Sequence, residues 1–483
     1  MRGKIIWSTS GKLLLIIGIS MIFPLAISLY YGENEAWAFF ISMVITLLCG
    51  ALLSFGFKNN ERMRIKDGYL IVTLSWILAT LFGMLPYLIS GAVDTLPDAI
   101  FETMSGFTTT GASIFTDVEA LGKGILLWRA LTHWLGGVGI LVLFVALLSA
   151  LGNNGMQLFK AEISQAVGNK LTPRISDGAK ILWIVYMVLT VVAIAGYWLC
   201  GMDMFDAICH SFATVATGGF STKNSSLGYY QNAGIEWVGI IVMFLSGINL
   251  ALYYDAWRAK HKLQGFFKNS VVKAYLLIYG FLIAVLSCQL FLQQDLGVHD
   301  AVRTAAFQVI TIGTTTGFVT TDFECWSQMS KYILVLAMMI GGCAGSTSGG
   351  IKVDRFVIAF EQVKIDIQRI LHPRLVGNVK SSSYPMDTEG VARTLTFIFI
   401  YLITLAIGIF LLVCLDLSIL DAYMAAITSL GNIGAVWGSF GPSECYAAFP
   451  QAGKILMSIL MLLGRLEIYT VFAAILPERK IKK

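Results

Sequence analysis

Residues 101–116 read "FETMSGFTTTGASIFT", in which Thr108, Thr109, Thr110 and Gly111 form a helix-breaking run between apolar stretches. The surrounding chain has 483 residues, 57% of them hydrophobic and 13% charged. With a mean hydropathy of +0.75, it is not composed like a soluble globule. Uncharged stretches long enough to cross about 30 Å of hydrocarbon as helices recur. They lie at Leu13–Gly32, Ala36–Phe57, Gly68–Val93, Ile181–Met202, Ala274–Gln294, Tyr332–Ile351 and Thr394–Leu415. Broken backbone at membrane depth is tolerated only where protein buries it or a watery path runs beside it. The run at 108–111 therefore needs partners.

The sequence supplies them. Aligned on Gly111, Gly219, Gly317 and Gly434, four segments share one register: "DAIFETMSGFTTTG", "DAICHSFATVATGG", "TAAFQVITIGTTTG" and "DAYMAAITSLGNIG". Alanine stands twelve residues before each glycine (Ala99, Ala207, Ala305, Ala422). Thirteen before stand Asp98, Asp206, Thr304 and Asp421, each a competent N-cap. Two before stand Thr109, Thr217, Thr315 and Asn432. Each unit is flanked by apolar helices, so the plan is helix, short helix, loop, helix, repeated in parallel. The fold expected is an all-α polytopic membrane protein. Residues 1–66 form two extra N-terminal transmembrane helices, the first read as retained and not as a cleaved signal peptide. Pore repeats follow at 67–155, 156–262, 263–374 and 375–483.

Four such loops around one axis satisfy one another, because cations at the centre take the place of backbone donors. Rings of carbonyls replace an ion's hydration shell, and glycine turns a carbonyl inward without a Cβ clash. Each short helix also aims its partially negative C-terminal end at the cavity. The alternative is four small-residue patches serving only helix packing.

Charge sorting orients the chain. With alternate loops assigned to the cytoplasm, one side holds Arg2, Lys4, Lys12, Lys58, Arg62, Arg64, Lys66, Lys160, Lys170, Arg174 and Lys180. The same side holds Arg258, Lys260, Lys262, Lys268, Lys273, Lys352, Arg355, Lys364, Arg369, Arg374, Lys380, Arg393 and the terminal Arg479, Lys480, Lys482 and Lys483. The opposite loops carry Glu33, Asp117, Glu119, Asp322, Glu324 and Glu444. The positive-inside rule then places both termini in the cytoplasm, and the net charge of +5 is no sign of nucleic-acid binding. The eight cysteines show no metal-like spacing and are read as apolar packers. Cys200, Cys209, Cys325 and Cys445 fall on the outer side, where a disulfide stays open.

On these residues the chain resembles the TrkH/KtrB/HKT superfamily of potassium transporters, from about Gly68 to Pro477. The two extra N-terminal helices resemble its bacterial TrkH/TrkG branch. The resemblance implies a filter for K⁺ ions formed by Thr108–Gly111, Ala216, Thr217, Gly218 and Gly219, Thr314, Thr315, Thr316 and Gly317, and Gly431, Asn432, Ile433 and Gly434. The fourth loop, "GNIGAVWG", keeps no threonine. Na⁺-preferring plant relatives carry serine at the first of these glycines, so Gly111 favours K⁺.

Two further matches follow. "GGCAGSTSGGIK" (341–352) cannot hold a regular helix well, with five glycines and three hydroxyl residues. In the family the matching stretch blocks the pore from below, a role implied for Gly345, Ser346, Thr347, Ser348, Gly349 and Gly350. The alternative is a kink that lets helices approach. "MLLGRLEIYT" places Arg465 inside the last helix, where the family reading is a barrier to cations and the alternative an arginine held by backbone carbonyls. Glu467 lies on another face and is a poor partner for it. Arg129 is read as snorkelling to the outer interface, and His133 and His210 as buried and structural. Glu102 either braces the filter from behind or sits near the permeation path.

The resemblance also implies a homodimer in the bacterial inner membrane, seated on a TrkA-like ring of cytoplasmic nucleotide-binding subunits. This chain carries no soluble domain of its own for nucleotide. The chain is expected to have no catalytic activity and no organic cofactor. Two other readings compete with the pore: an H⁺- or Na⁺-coupled symporter, and an intramembrane serine protease pairing Ser348 with His133. Parallel repeats argue against an inverted-repeat carrier.

Overall fold

The structure is a computed structural model. It describes residues 3–57, 65–139, 175–258, 266–267, 269–293, 296–375, 377, 379–381, 384–435, 437–438, 441 and 445–476. Arg2, Lys58, Arg62, Arg64, Lys160, Lys170, Arg174, Lys260, Lys262, Lys268, Glu444, Arg479, Lys480, Lys482 and Lys483 lie outside these residues, as do 140–155 of the expected first repeat and 156–174 of the expected second. Apart from a two-residue antiparallel pair, Lys380–Ser381 with Tyr384–Pro385, every regular element among the described residues is helical.

Among those residues six helices are long and apolar enough to cross a membrane: Gly3–Tyr31, Ala36–Gly56, Lys66–Ser90, Lys180–Leu199, Ser270–Gln293 and Thr388–Val413. Two bent pairs bring the number to eight: Ala233–Ser246 with Leu250–Trp257 at 86°, and Gln451–Arg465 with Tyr469–Ile475 at 104°. The long helices turn Ile184, Val188, Val191, Leu277, Phe281, Phe399 and Phe410 outward. Apolar residues presented to the surroundings in this density are those of a multi-pass membrane protein. The apolar stretch Tyr332–Ile351 is not one span, since its helix, Gln328–Ile340, stops at Gly341. The next helix begins only at Val353.

Between the long helices sit four short ones: Leu96–Phe107, Met204–Ala216, Val298–Gly313 and Ile419–Gly431. The helix after each packs on two of them. Lys123–Gly137 touches the first and second, Ala233–Ser246 the second and third, Gln328–Ile340 the third and fourth, and Gln451–Arg465 the fourth and first. The contacts close a ring.

The N-caps are not those expected. Thr95, Asp203 and Ser418 cap the first, second and fourth short helices, and Gly297 opens the longer third. Asp98 and Asp421 sit three residues inside, each accepting a bond from the capping hydroxyl at 2.7 and 2.8 Å. Thr304 lies within its helix. The physical reason is the capping box, which sets an acidic residue at the third helical position behind a Ser or Thr cap.

One tie in the ring is a buried cation. Lys454, 1% exposed, donates to Asp98 Oδ1 at 2.5 Å and to the Ala447 carbonyl at 2.8 Å, fastening the last bent pair to the first short helix. Removing one partner leaves the other charge uncompensated. Lys454→Met is therefore expected to cost about 3 kcal/mol of stability, read as a lowered thermal midpoint in detergent. An unchanged midpoint would show the pair to be dispensable.

Candidate functional site

At the C-terminal end of each short helix the chain turns in the same way. Thr109, Thr217, Thr315 and Asn432 all adopt left-handed backbone, with φ of 54°, 54°, 58° and 54°. The N–H of the following residue reaches back five positions: Thr110 to Ser105, Gly218 to Ala213, Thr316 to Thr311, Ile433 to Thr428. This is the Schellman turn, which usually places glycine at the left-handed position. A threonine there is strained, and the same strain recurs in three of the four loops.

Two residues on, Gly111, Gly219, Gly317 and Gly434 have φ of 81°, 85°, 84° and 84°. A Cβ built on any of them would overlap a carbonyl oxygen of the next loop: Gly111 meets Gly218, Gly219 meets Thr316, Gly317 meets Ile433, and Gly434 meets Thr110. The four loops thus abut head to tail in a closed cycle. Each glycine is required twice, by its φ and by a neighbour's carbonyl.

The hydroxyls are mostly spent on the turns themselves. Thr108 donates to the Met104 carbonyl and meets Thr110 Oγ1 at 2.8 Å, and Thr314 and Thr316 repeat the pattern. The carbonyls on which the four glycines press, those of Gly218, Thr316, Ile433 and Thr110, belong to the loops themselves. The missing threonine of the fourth loop has a substitute, because Asn432 Nδ2 donates to Thr110 Oγ1 at 3.0 Å and ties that loop to the first.

Cavities lie on both sides of the ring. One is lined by all four glycines together with Ala112, Ser113, Arg129, Lys223 and Tyr446. The other is lined by Gly345, Ser346, Thr347, Ser348, Gly349 and Gly350 with Arg465, and by Gly137, Val138 and Gly139. The segment 341–352 runs across that second side. Gly349 N–H donates to Thr315 Oγ1 at 2.7 Å, and Thr217 Oγ1 meets Thr347 Oγ1 at 3.2 Å. A Cβ on Gly349 would overlap the Gly431 carbonyl. Within the segment Lys352 Nζ donates to the Ser348 carbonyl at 2.6 Å, and Tyr279 OH ties the segment to a neighbouring helix through the Gly341 carbonyl at 2.8 Å.

Arg465 ends its helix just before the 104° turn. Its guanidinium donates to the carbonyls of Thr347 (2.8 Å), Gly136 (2.6 Å) and Gly137 (3.0 Å). Glu467 pairs instead with Arg355 at 2.6 Å. Two of these partners, Gly136 and Gly137, close the helix Lys123–Gly137 in the stretch "GGVG" at 136–139.

Arg129 does not snorkel. It is 2% exposed and its Nε donates to Glu102 at 2.8 Å, since a buried carboxylate offers a guanidinium a better partner than the interface does. Glu102 stands behind the first loop, accepting also from Ile114 N–H at 2.9 Å and Ser113 Oγ at 3.2 Å. His133 and His210 are buried and fully bonded. The first bridges the Gly106 carbonyl and Phe220 N–H, the second the Asp206 carbonyl and Ser221 Oγ. Ser348 Oγ lies against Ser346 Oγ at 2.6 Å, so no Ser348–His133 dyad is assembled. All eight cysteines are free.

A family model, TrkH, described as a cation transport protein, matches residues 35–483. A Halomonas elongata protein named Trk system potassium uptake protein TrkH is 36% identical over 475 residues, 97% of each chain. The Escherichia coli K12 protein named Trk system potassium uptake protein TrkG is 34% identical over 472 residues, covering 97% of this chain and 96% of its own. The crystal structure of the potassium transporter TrkH from Vibrio parahaemolyticus aligns over 99% of both chains with a TM-score of 0.88 and 32% identity.

Proposed function

The chain belongs to the TrkH family of cation transport proteins, and on that premise we propose that it takes up potassium across the bacterial inner membrane through a channel-like path ringed by the four loops. The observation that carries this reading is the closed cycle of Gly111, Gly219, Gly317 and Gly434, each pressed on the next loop's carbonyl. A ring lined by backbone carbonyls is suited to a dehydrated monovalent cation. K⁺ is the cargo, held in passing by Thr108–Gly111, Ala216–Gly219, Thr314–Gly317 and Gly431–Gly434. Gly345–Gly350 act as the gate, and Arg465 raises the barrier on the same side. The repeats surround one path, the helices before residue 67 are additional to them, and both termini face the cytoplasm.

As partners we propose a second copy of the chain and a TrkA-like nucleotide-binding subunit against the basic loops around 258–273 and 352–380. The names of the relatives, which speak of a Trk system, accord with a multi-component assembly.

The test is uptake of radioactive Rb⁺ into proteoliposomes holding the purified chain, driven by an internal KCl load. Flux competed by K⁺ far better than by Na⁺ is expected. Flux that appears only with a pH or Na⁺ gradient would replace the channel-like path by coupled symport. Equal competition by the two ions would remove the selective ring.

A further inference from the structure

The residue nine positions before each ring glycine is Glu102, His210, Gln308 or Ala425. The three polar ones do the same thing. Glu102 accepts from Ile114 N–H and Ser113 Oγ, His210 Nε2 meets Ser221 Oγ at 2.9 Å, and Gln308 Nε2 donates to Thr320 Oγ1 at 3.3 Å. Each reaches the chain two or three residues past its own repeat's glycine, from behind. All three are 0% exposed. Only the first is charged, and only the first is relayed to a neighbouring loop.

The relay is Arg129. Its Nε is taken by Glu102, Nη2 donates to Ser113 Oγ and Nη1 to the Ser221 carbonyl, both at 3.0 Å. Its Cζ also lies 4.1 Å from the centroid of Phe220, the residue after Gly219. One planar fork thus holds the exits of the first and second loops in fixed relation, which a lysine's point charge does not reproduce. In a ring whose size decides which ion sheds its water, that spacing is part of the recognition.

We infer that these side chains are positioning residues for ion discrimination, with the Glu102–Arg129 pair dominant because it is buried, charged and shared between two loops. Gln308 acts as a weaker brace in the third repeat, and the fourth loop is unbraced at this position. The inference rests on the reading of the ring as a selective cation path and assigns it the residues that set its width.

The test compares K⁺ and Na⁺ competition for Rb⁺ flux in reconstituted full-length protein. Breaking one half of a buried pair endangers folding, whereas replacing both halves with neutral groups is often tolerated. The variant is therefore Glu102→Gln with Arg129→Gln. It is expected to elute as folded protein and to lose tenfold or more of the K⁺ preference, with Arg129→Lys losing preference as well. The control is Glu236→Gln with Arg303→Gln, which removes a 2.8 Å pair that touches no ring loop and should leave the preference intact. A folded double variant with unchanged preference overturns the inference, and so does equal loss in the control pair. If the double variant does not assemble, Gln308→Met reads the same position without a stranded charge: reduced preference supports the inference and unchanged preference overturns it. Absence of K⁺-preferring flux in the unaltered protein would instead sink the reading beneath it.

Discussion

Gly111→Ser is expected to abolish the preference for K⁺ over Na⁺ and to cut Rb⁺ flux by about tenfold or more, with the protein still folded. Two costs fall on that position. Left-handed backbone with a Cβ costs roughly 1–2 kcal/mol, and φ at Gly111 is 81°. The added Cβ also overlaps the Gly218 carbonyl, which must swing away from the centre of the ring. The two effects separate experimentally. Gly91 has a similar φ of 74° but nothing within 4 Å of its Cβ position. Gly91→Ser should therefore lose about 1 kcal/mol of stability and keep the ion preference. If Gly111→Ser behaves like Gly91→Ser, the ring of carbonyls does not select the ion. Gly219→Ser, Gly317→Ser and Gly434→Ser should all behave like Gly111→Ser, because each meets the next loop's carbonyl in the same way.

The recurring left-handed turn was legible because its constraints act within fourteen residues. A left-handed residue followed two positions later by an obligatory glycine leaves a Thr/Asn–x–Gly trace in every unit, whatever the rest of the helix carries. Three of the four caps were misplaced by three residues, for an equally local reason. Asp98 and Asp421 belong to capping boxes opened by Thr95 and Ser418, and the S/T–x–x–D pattern stands in the sequence at both. Long-range polar pairing was not legible. Hydropathy sends Arg129 to the interface, and nothing in its own neighbourhood reveals Glu102, 27 residues earlier. Lys454 and Asp98 are 356 residues apart. Arg465 was visible as an expensive charge, but its partners are backbone carbonyls, which carry no residue code.

Those carbonyls decide what Arg465→Ala should do. A unit charge on the order of 8 Å from a passing cation, at an effective dielectric near 20, opposes it by about 2 kcal/mol. Removing it should raise Rb⁺ flux by up to about thirtyfold. The same guanidinium also holds the Thr347 carbonyl of the segment that underlies Thr217 and Thr315, so its loss frees that segment on one flank while Tyr279 still holds the Gly341 carbonyl on the other. Arg465→Lys distinguishes the two routes. Lysine keeps the charge but cannot span the carbonyls of Thr347, Gly136 and Gly137 together. Flux that stays low in the lysine variant and rises in the alanine variant assigns the effect to the charge. Flux raised equally in both assigns it to the released segment. Flux unchanged or lowered in both, in protein that remains folded, would mean that Arg465 serves only to join the last bent pair to the first repeat through Gly136 and Gly137, and that the barrier lies elsewhere.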